Sequence, residues 1–190
     1  MAIKMIMPPA IEPITLEEAK EHLRISDSDN DNVILSMIVQ AREFCEDFQN
    51  RRYITQTLEL VLDEFPDDKC ISFDSCSPVQ NIESVIYYDT AGQEYVFDES
   101  NYIVDLDSFV NRIILGYCKL WPTMPLQPAN AVRIRFTTGY GDTQDTVPET
   151  VKLAMILHMQ ILYDDYEPNE KDKLIEARNS LLSMKRVIPI

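Results

Sequence analysis

The chain has 190 residues and a mass of 22.0 kDa, with 45% hydrophobic and 26% charged residues, the profile of one core-forming domain or one domain carrying an insertion. Thirty-two Asp and Glu against 17 Lys and Arg leave a formal charge of −15, which excludes a protein that grips phosphate backbones or anionic lipid. The deficit is −4 over residues 1–54 (6 cations, 10 anions), −8 over 55–137 (5 and 13) and −3 over 138–190 (6 and 9), so it belongs to a whole surface and not to a tail.

The opening, Met1 to Ala10, is a short apolar stretch with one Lys, broken by Pro8 and Pro9 and too short for a secretory signal. At Ile14-Thr15-Leu16-Glu17-Glu18 a helix start is signalled: Thr15 is placed to cap the amide of Glu18, Glu18 to reach back, and Ile14 to staple onto Ala19. This first helix runs to about Leu23, with Leu16, Ala19, His22 and Leu23 on one side. A polar loop, Ser26 to Asn32, follows. The second helix runs from Asp29 or Asn30 to Asn50, with Ile34, Met37, Ile38, Ala41, Phe44, Cys45 and Phe48 as one buried stripe. Val33, Leu35 and Val39 lie outside that stripe and are candidates for a subunit interface.

Beyond Tyr53 the period changes to two. Leu58, Leu60 and Leu62 alternate in one run, and Val132, Ile134 and Phe136 in another. Between them the pattern predicts strands at Cys70–Phe73, Ser84–Tyr88, Tyr95–Phe97, Tyr102–Val104 and Arg112–Leu115, separated by turn signals. Helical period returns after Val147-Pro148-Glu149, with Pro148 suited to the first helical position. A last helix is capped by Asn169 and carries the stripe Leu174, Ala177, Leu181 and Leu182. The expected class is α+β: mainly a helical bundle of about four helices, residues 1–54 and 138–190, with a small antiparallel β insertion, residues 55–137.

Candidate chemistry is sparse. Cys45, Cys70, Cys76 and Cys118 form no Cys-x-x-Cys pair and there are two histidines, His22 and His158, so the spacing for structural zinc is missing. Asp27-Ser28-Asp29-Asn30-Asp31-Asn32 opens like a calcium loop, but Asn32 and Ile38 stand where an EF-hand needs Gly and Glu. The loop reads instead as the start of the second helix. Neither Gly-x-Ser-x-Gly nor a glycine-rich phosphate cradle occurs. In Thr138-Gly139-Tyr140-Gly141 the glycines fit a tight exit turn with positive φ. No catalytic residue, cofactor or metal is expected.

Taken in order, these segments resemble the head–tail connector (adaptor) family of tailed bacteriophages and prophages. The likeness is carried by Ile14-Thr15-Leu16-Glu17-Glu18-Ala19-Lys20-Glu21-His22-Leu23-Arg24-Ile25 and then Ile34 to Arg52, by Ser77-Pro78-Val79-Gln80-Asn81-Ile82-Glu83-Ser84-Val85-Ile86-Tyr87-Tyr88-Asp89, and by Trp121-Pro122 before Asn130 to Gly141. Val147-Pro148-Glu149 and the closing Leu181-Leu182-x-x-Lys185-Arg186 complete it. Family members often have Thr-Gly-Arg where this chain has Gln49-Asn50-Arg51.

The resemblance implies a non-enzymatic ring subunit of the virion, assembled in the bacterial cytoplasm with twelve copies beneath the portal protein. It extends the DNA channel, lets DNA pass without binding it specifically, seats a stopper or tail-joining protein, and meets no membrane. The C-terminal segment, Leu181, Leu182, Met184, Lys185, Arg186, Val187 and Ile188, is the part expected to reach the portal, and deletion of residues 184–190 is expected to leave the fold intact while preventing docking. Two other classes fit the composition less well. An acidic DNA mimic would bind a basic host protein and form no ring. A small metal-dependent hydrolase using Asp27, Asp29 and Asp31 would be stabilised by a divalent ion.

Overall fold

The computed structural model describes residues 2–164 and 166–188. In chain order its elements are β1 (Ala2–Met7), α1 (Leu16–Leu23), α2 (Asp31–Gln49), β2 (Gln56–Leu62), β3 (Cys70–Ser72), β4 (Val79–Tyr88), β5 (Glu94–Val96), β6 (Tyr102–Asp105), β7 (Arg112–Leu115), β8 (Val132–Thr138), α3 (Glu149–Tyr163) and α4 (Pro168–Ser183). The class is α+β. The elements fall into two compact units, one built from residues 10–54 and 140–188, the other from 2–9 and 55–139.

In the helical unit, the start of α1 is fixed as its sequence dictates. The Glu18 amide donates to Thr15 Oγ1 at 3.1 Å and the Thr15 amide donates to Glu18 Oε2 at 2.7 Å. Ile14 and Ala19 are both buried in the same cluster, as a staple requires. Helix α2 ends on Asn50 with φ 54°, a left-handed residue where a glycine is commonest and Asn is the usual substitute. Its stripe of Ile34, Met37, Ile38, Ala41 and Cys45 meets Val151, Ala154, Met155 and Met159 of α3 around Tyr53 and Ile54. Burial pushes the Cys45 thiol up to about 12, so it is an inert core group.

The second pair of helices departs from expectation in detail. Pro148 is the cap of α3 and not its first turn, while Pro168 occupies the first turn of α4 and Asn169 lies inside it. On α4, Ala177 is exposed and Arg178 is buried in the stripe with Leu182. Leu174, Arg178 and Leu181 follow steps of four and three, so the face passes through 178. The arginine's aliphatic stem covers core surface that a bare methyl at 177 would not.

The β unit holds two antiparallel sheets, ordered β1-β2-β8-β4-β5 and β3-β7-β6. Register follows the alternation read from sequence: Leu58 faces Phe136 and Leu60 faces Ile134 across β2 and β8. These side chains join Ile71, Phe73, Ile113 and Leu115 in one core, with the Phe73 and Phe136 rings 4.7 Å apart. Phe65 stacks on Trp121 at 5.0 Å, and the indole N–H donates to the Asp68 carbonyl at 2.8 Å.

Seven of the eight strands, β2 to β8, lie within residues 55–138, where seven were expected. Residues 2–7, expected with the helical body, instead pair with β2 from Ala2↔Val61 to Met7↔Thr57.

Candidate functional site

The C-terminal segment is held against the end of α2 by groups that the chain's own helix exit supplies. The Gln49 amide group donates to the Leu182 carbonyl at 2.7 Å, Asn50 Nδ2 to the Val187 carbonyl at 2.9 Å and Arg51 Nε to the Lys185 carbonyl at 2.6 Å. The Val187 amide donates in turn to the Gln49 carbonyl at 2.9 Å, and the Arg186 guanidinium lies 4.7 Å over the Phe48 ring. Gln49 and Asn50 are the two residues that depart from Thr-Gly-Arg, and Arg51 matches its Arg. All three take part in the clamp.

This clamp divides the candidate tail residues by what they can offer. Leu182 and Val187 are buried in the unit's own core, at 0% and 1% exposure, and Leu181 packs at its edge. Met184 and Ile188 stand 71% and 75% exposed, and Lys185 and Arg186 project beside them. The tail is therefore structural as well as accessible, which corrects the expectation that deleting residues 184–190 spares the fold. Such a deletion strips Val187 from the core and removes the Val187 amide from the Gln49 carbonyl, the Val187 carbonyl from Asn50 Nδ2 and the Lys185 carbonyl from Arg51 Nε. Residues 189 and 190 lie outside the described residues.

On α2, Val33 and Leu35 are 53% and 44% exposed and Val39 is half-buried. Leu153, Leu162 and Tyr163 of α3 are also exposed. Apolar side chains are thus left exposed on both helices beside the unit's own core.

A buried polar knot on α2 is a feature that sequence spacing missed. Arg42 Nε donates to Glu12 Oε2 at 2.8 Å and Nη1 to Glu46 Oε2 at 3.1 Å. Glu46 also accepts the Tyr53 amide at 2.9 Å and has Arg52 3.5 Å away. Burial lifts the Glu46 carboxyl above its ordinary pKa, against the pull of Arg42, Arg52 and the Tyr53 N–H. Arg42 and Glu46 are one turn apart on α2, a spacing visible in sequence; their burial is not.

His158 is a second such group. Its ring stacks on Phe44 at 4.2 Å, and Arg178 Nη1 lies 2.7 Å from its Nδ1 while Arg178 Nε and Nη2 reach Asn179 Oδ1. Burial and the neighbouring Arg178 charge lower the imidazole to about 4, so it is the neutral acceptor of the arginine. Asp164, the described one of the two nearby carboxylates, is taken by the Tyr166 hydroxyl. Asp165 lies outside the described residues.

A depressed histidine stabilises the fold fully above its unfolded pKa near 6.5 and loses that contribution as pH falls towards about 4. Thermal melts at pH 7 and 4.5 should show this loss, on the order of 2 kcal/mol. His158→Gln keeps an acceptor for Arg178 and removes the titration, so its midpoint should fall less over the same interval, by about 5 °C. Equal slopes would mean that the imidazole takes up its proton freely in the folded state.

The acidic loop offers its groups to the protein itself. Asp31 Oδ1 accepts Lys20 Nζ at 2.6 Å, and Asp27 Oδ1 accepts the Asp29 amide at 3.2 Å. Among the described residues no three His, Cys, Asp or Glu side chains are grouped to hold a metal ion. Of the exit-turn glycines, Gly139 has φ 130°, as expected. Gly141 does not need positive φ; a Cβ there would meet Thr146 Cγ2 at 2.6 Å, so close approach is its reason.

With this geometry in hand, comparison with known proteins gives a consistent answer. A chain in the neck of an empty gene transfer agent (GTA) particle computed with C6 symmetry superposes with a TM-score of 0.81 at 19% identity, over 100% of this chain and 97% of that one. Chains in the virion of the native GTA particle and in its neck computed with C12 symmetry superpose at 0.79 with 18% identity and the same coverage. At this identity the likeness establishes the fold. No curated protein sequence matches the chain. A family model matches residues 13–109, which take in α1, α2 and the strands through β6. The chain belongs to the phage gp6-like head-tail connector protein family.

Proposed function

We propose that this structural connector works as a ring subunit at the head–tail junction, docking beneath the portal protein, extending the DNA channel and seating a stopper or tail-joining protein. Family membership over residues 13–109 carries the reading. The surface properties support it. A net charge of −15 per subunit repels phosphate at close range, which suits a channel that DNA must traverse without being held. Val33, Leu35 and Val39 on α2 serve the contact between neighbouring subunits, and Met184, Lys185, Arg186 and Ile188 present two apolar anchors and two cations to the portal. The role is one of assembly and not catalysis, carried out in the virion after assembly in the host cytoplasm.

Electron microscopy of the chain mixed with the portal protein of the same phage tests this. A ring of twelve subunits stacked coaxially on the portal is the expected result. Failure to bind an intact portal at micromolar concentration would overturn the proposal and favour an acidic mimic that occupies a basic host protein.

A further inference from the structure

Strand β1 reads Ala2-Ile3-Lys4-Met5-Ile6-Met7, and every residue except Ile3 is exposed, with Met5 and Met7 above half. It forms one border of the five-stranded sheet, and among the described residues no strand pairs with its outer edge. An apolar, two-sided, unpaired edge is the arrangement that monomeric proteins avoid, because its free N–H and C=O groups template another strand. The opposite border, β5, is also open and carries Val96 at 69% exposure.

The two borders match. Pairing registers place Ala2, Val61, Arg133, Ile86 and Val96 in one row across the sheet, on one face. The next row contains Lys4, Glu59, Arg135 and Ser84, and Asp98 follows Val96 by the two residues that restore its face. The β1 border carries Lys4 and no acid, whereas Glu94, Asp98 and Glu99 stand at the β5 border, where Lys119 offsets part of the charge at Asp98. With four antiparallel pairings between them, β1 and β5 run in the same direction. A second copy set beside the first without turning over therefore lays its β5 parallel to β1, and an in-register join brings Val96 to Ala2 and Asp98 to Lys4.

We propose that the β1 edge of each subunit pairs with the β5 edge of the next copy, continuing the sheet from subunit to subunit. The contact uses two different surfaces of one chain, the heterologous kind that closes into rings. The inference rests on the ring reading above and specifies one of its contacts. The occupant is a second copy because the complementary edge is on the chain itself.

Cysteine pairs test it in a Cys118→Ser background, which removes the exposed native thiol. Neighbouring strands bring Cα atoms within disulfide range, so Ala2→Cys with Val96→Cys reports the in-register join and Lys4→Cys with Val96→Cys a two-residue slip. Chains assembled on the portal, oxidised mildly and run on non-reducing gels should give a ladder of covalent multimers for one of these pairs. Mixtures of the single variants should stop at dimers, and no single variant alone should cross-link. Rings visible by microscopy without any ladder would overturn the edge pairing and leave the ring reading standing. Parent chains that form no ring on the portal would overturn both. Dimers from Lys4→Cys alone, or a ladder only with Ile103→Cys on β6, would assign the β1 edge to a different strand and likewise overturn the pairing.

Discussion

Arg42→Ala is expected to cost the helical unit about 3–4 kcal/mol, the largest loss predicted for any single polar substitution here. Arg42 is 4% exposed and Glu46 1%, so truncation takes the guanidinium at 3.1 Å from a desolvated carboxylate that keeps the Tyr53 amide and the more distant Arg52 among its partners. It also frees Glu12, whose carboxylate ties the segment before α1 to α2. For a chain of this size the midpoint should fall by roughly 8–14 °C. The penalty comes from the stranded charge and not from the pair's own worth. Arg42→Met combined with Glu46→Gln should therefore recover most of the loss, because the neutral amide carries no such charge and keeps an acceptor oxygen for the Tyr53 N–H. Thermal melts of the three chains decide it. A loss below about 1 kcal/mol in Arg42→Ala would show that water reaches Glu46 and that the knot is not a buried one.

The helix starts, the α2 stripe and the β2–β8 alternation were legible because each is a local pattern with a fixed period. Thr15 and Glu18 sit three apart and cap each other; Leu58 and Leu60 are two apart and share a face. What was not legible depends on partners distant in sequence. β1 pairs with residues fifty or more positions on, and a six-residue apolar run has no period of its own to announce a strand. The α4 stripe was read through Ala177 and not Arg178, yet Arg178 is the buried one and meets His158, twenty residues before it.

The clamp on the tail shows the same limit more sharply. Gln49-Asn50-Arg51 was visible as an unusual helix exit, but nothing local says that its side chains reach carbonyls more than 130 residues later. Function was legible through the colinear set of segments, since no single side-chain constellation carries chemistry. A connector is recognised by its surfaces. Surfaces are what a lone sequence shows least.

That is why the tail gives the most informative prediction about function. Met184→Asp with Ile188→Asp is expected to weaken binding to the portal at least 100-fold while leaving the melting midpoint within about 1 °C of the parent. Both side chains already face solvent, so the substitutions remove no core contact. Their backbone stays fixed, because the hydrogen bonds that hold it run from Asn50 and Arg51 to the carbonyls of Val187 and Lys185. Two lost apolar anchors at about 1.5 kcal/mol each exceed two powers of ten in affinity. Val187→Asp separates folding from docking in the opposite sense. It forces a carboxylate into a 1% exposed position beside the end of α2 and should lower the midpoint sharply before any partner is added. Deletion of residues 184–190 would mix these two effects and decide neither. Titration calorimetry against intact portal, with melts run alongside, distinguishes them. A double variant that docks like the parent would remove the tail from the interface and move the contact to the exposed face of α2 or α3.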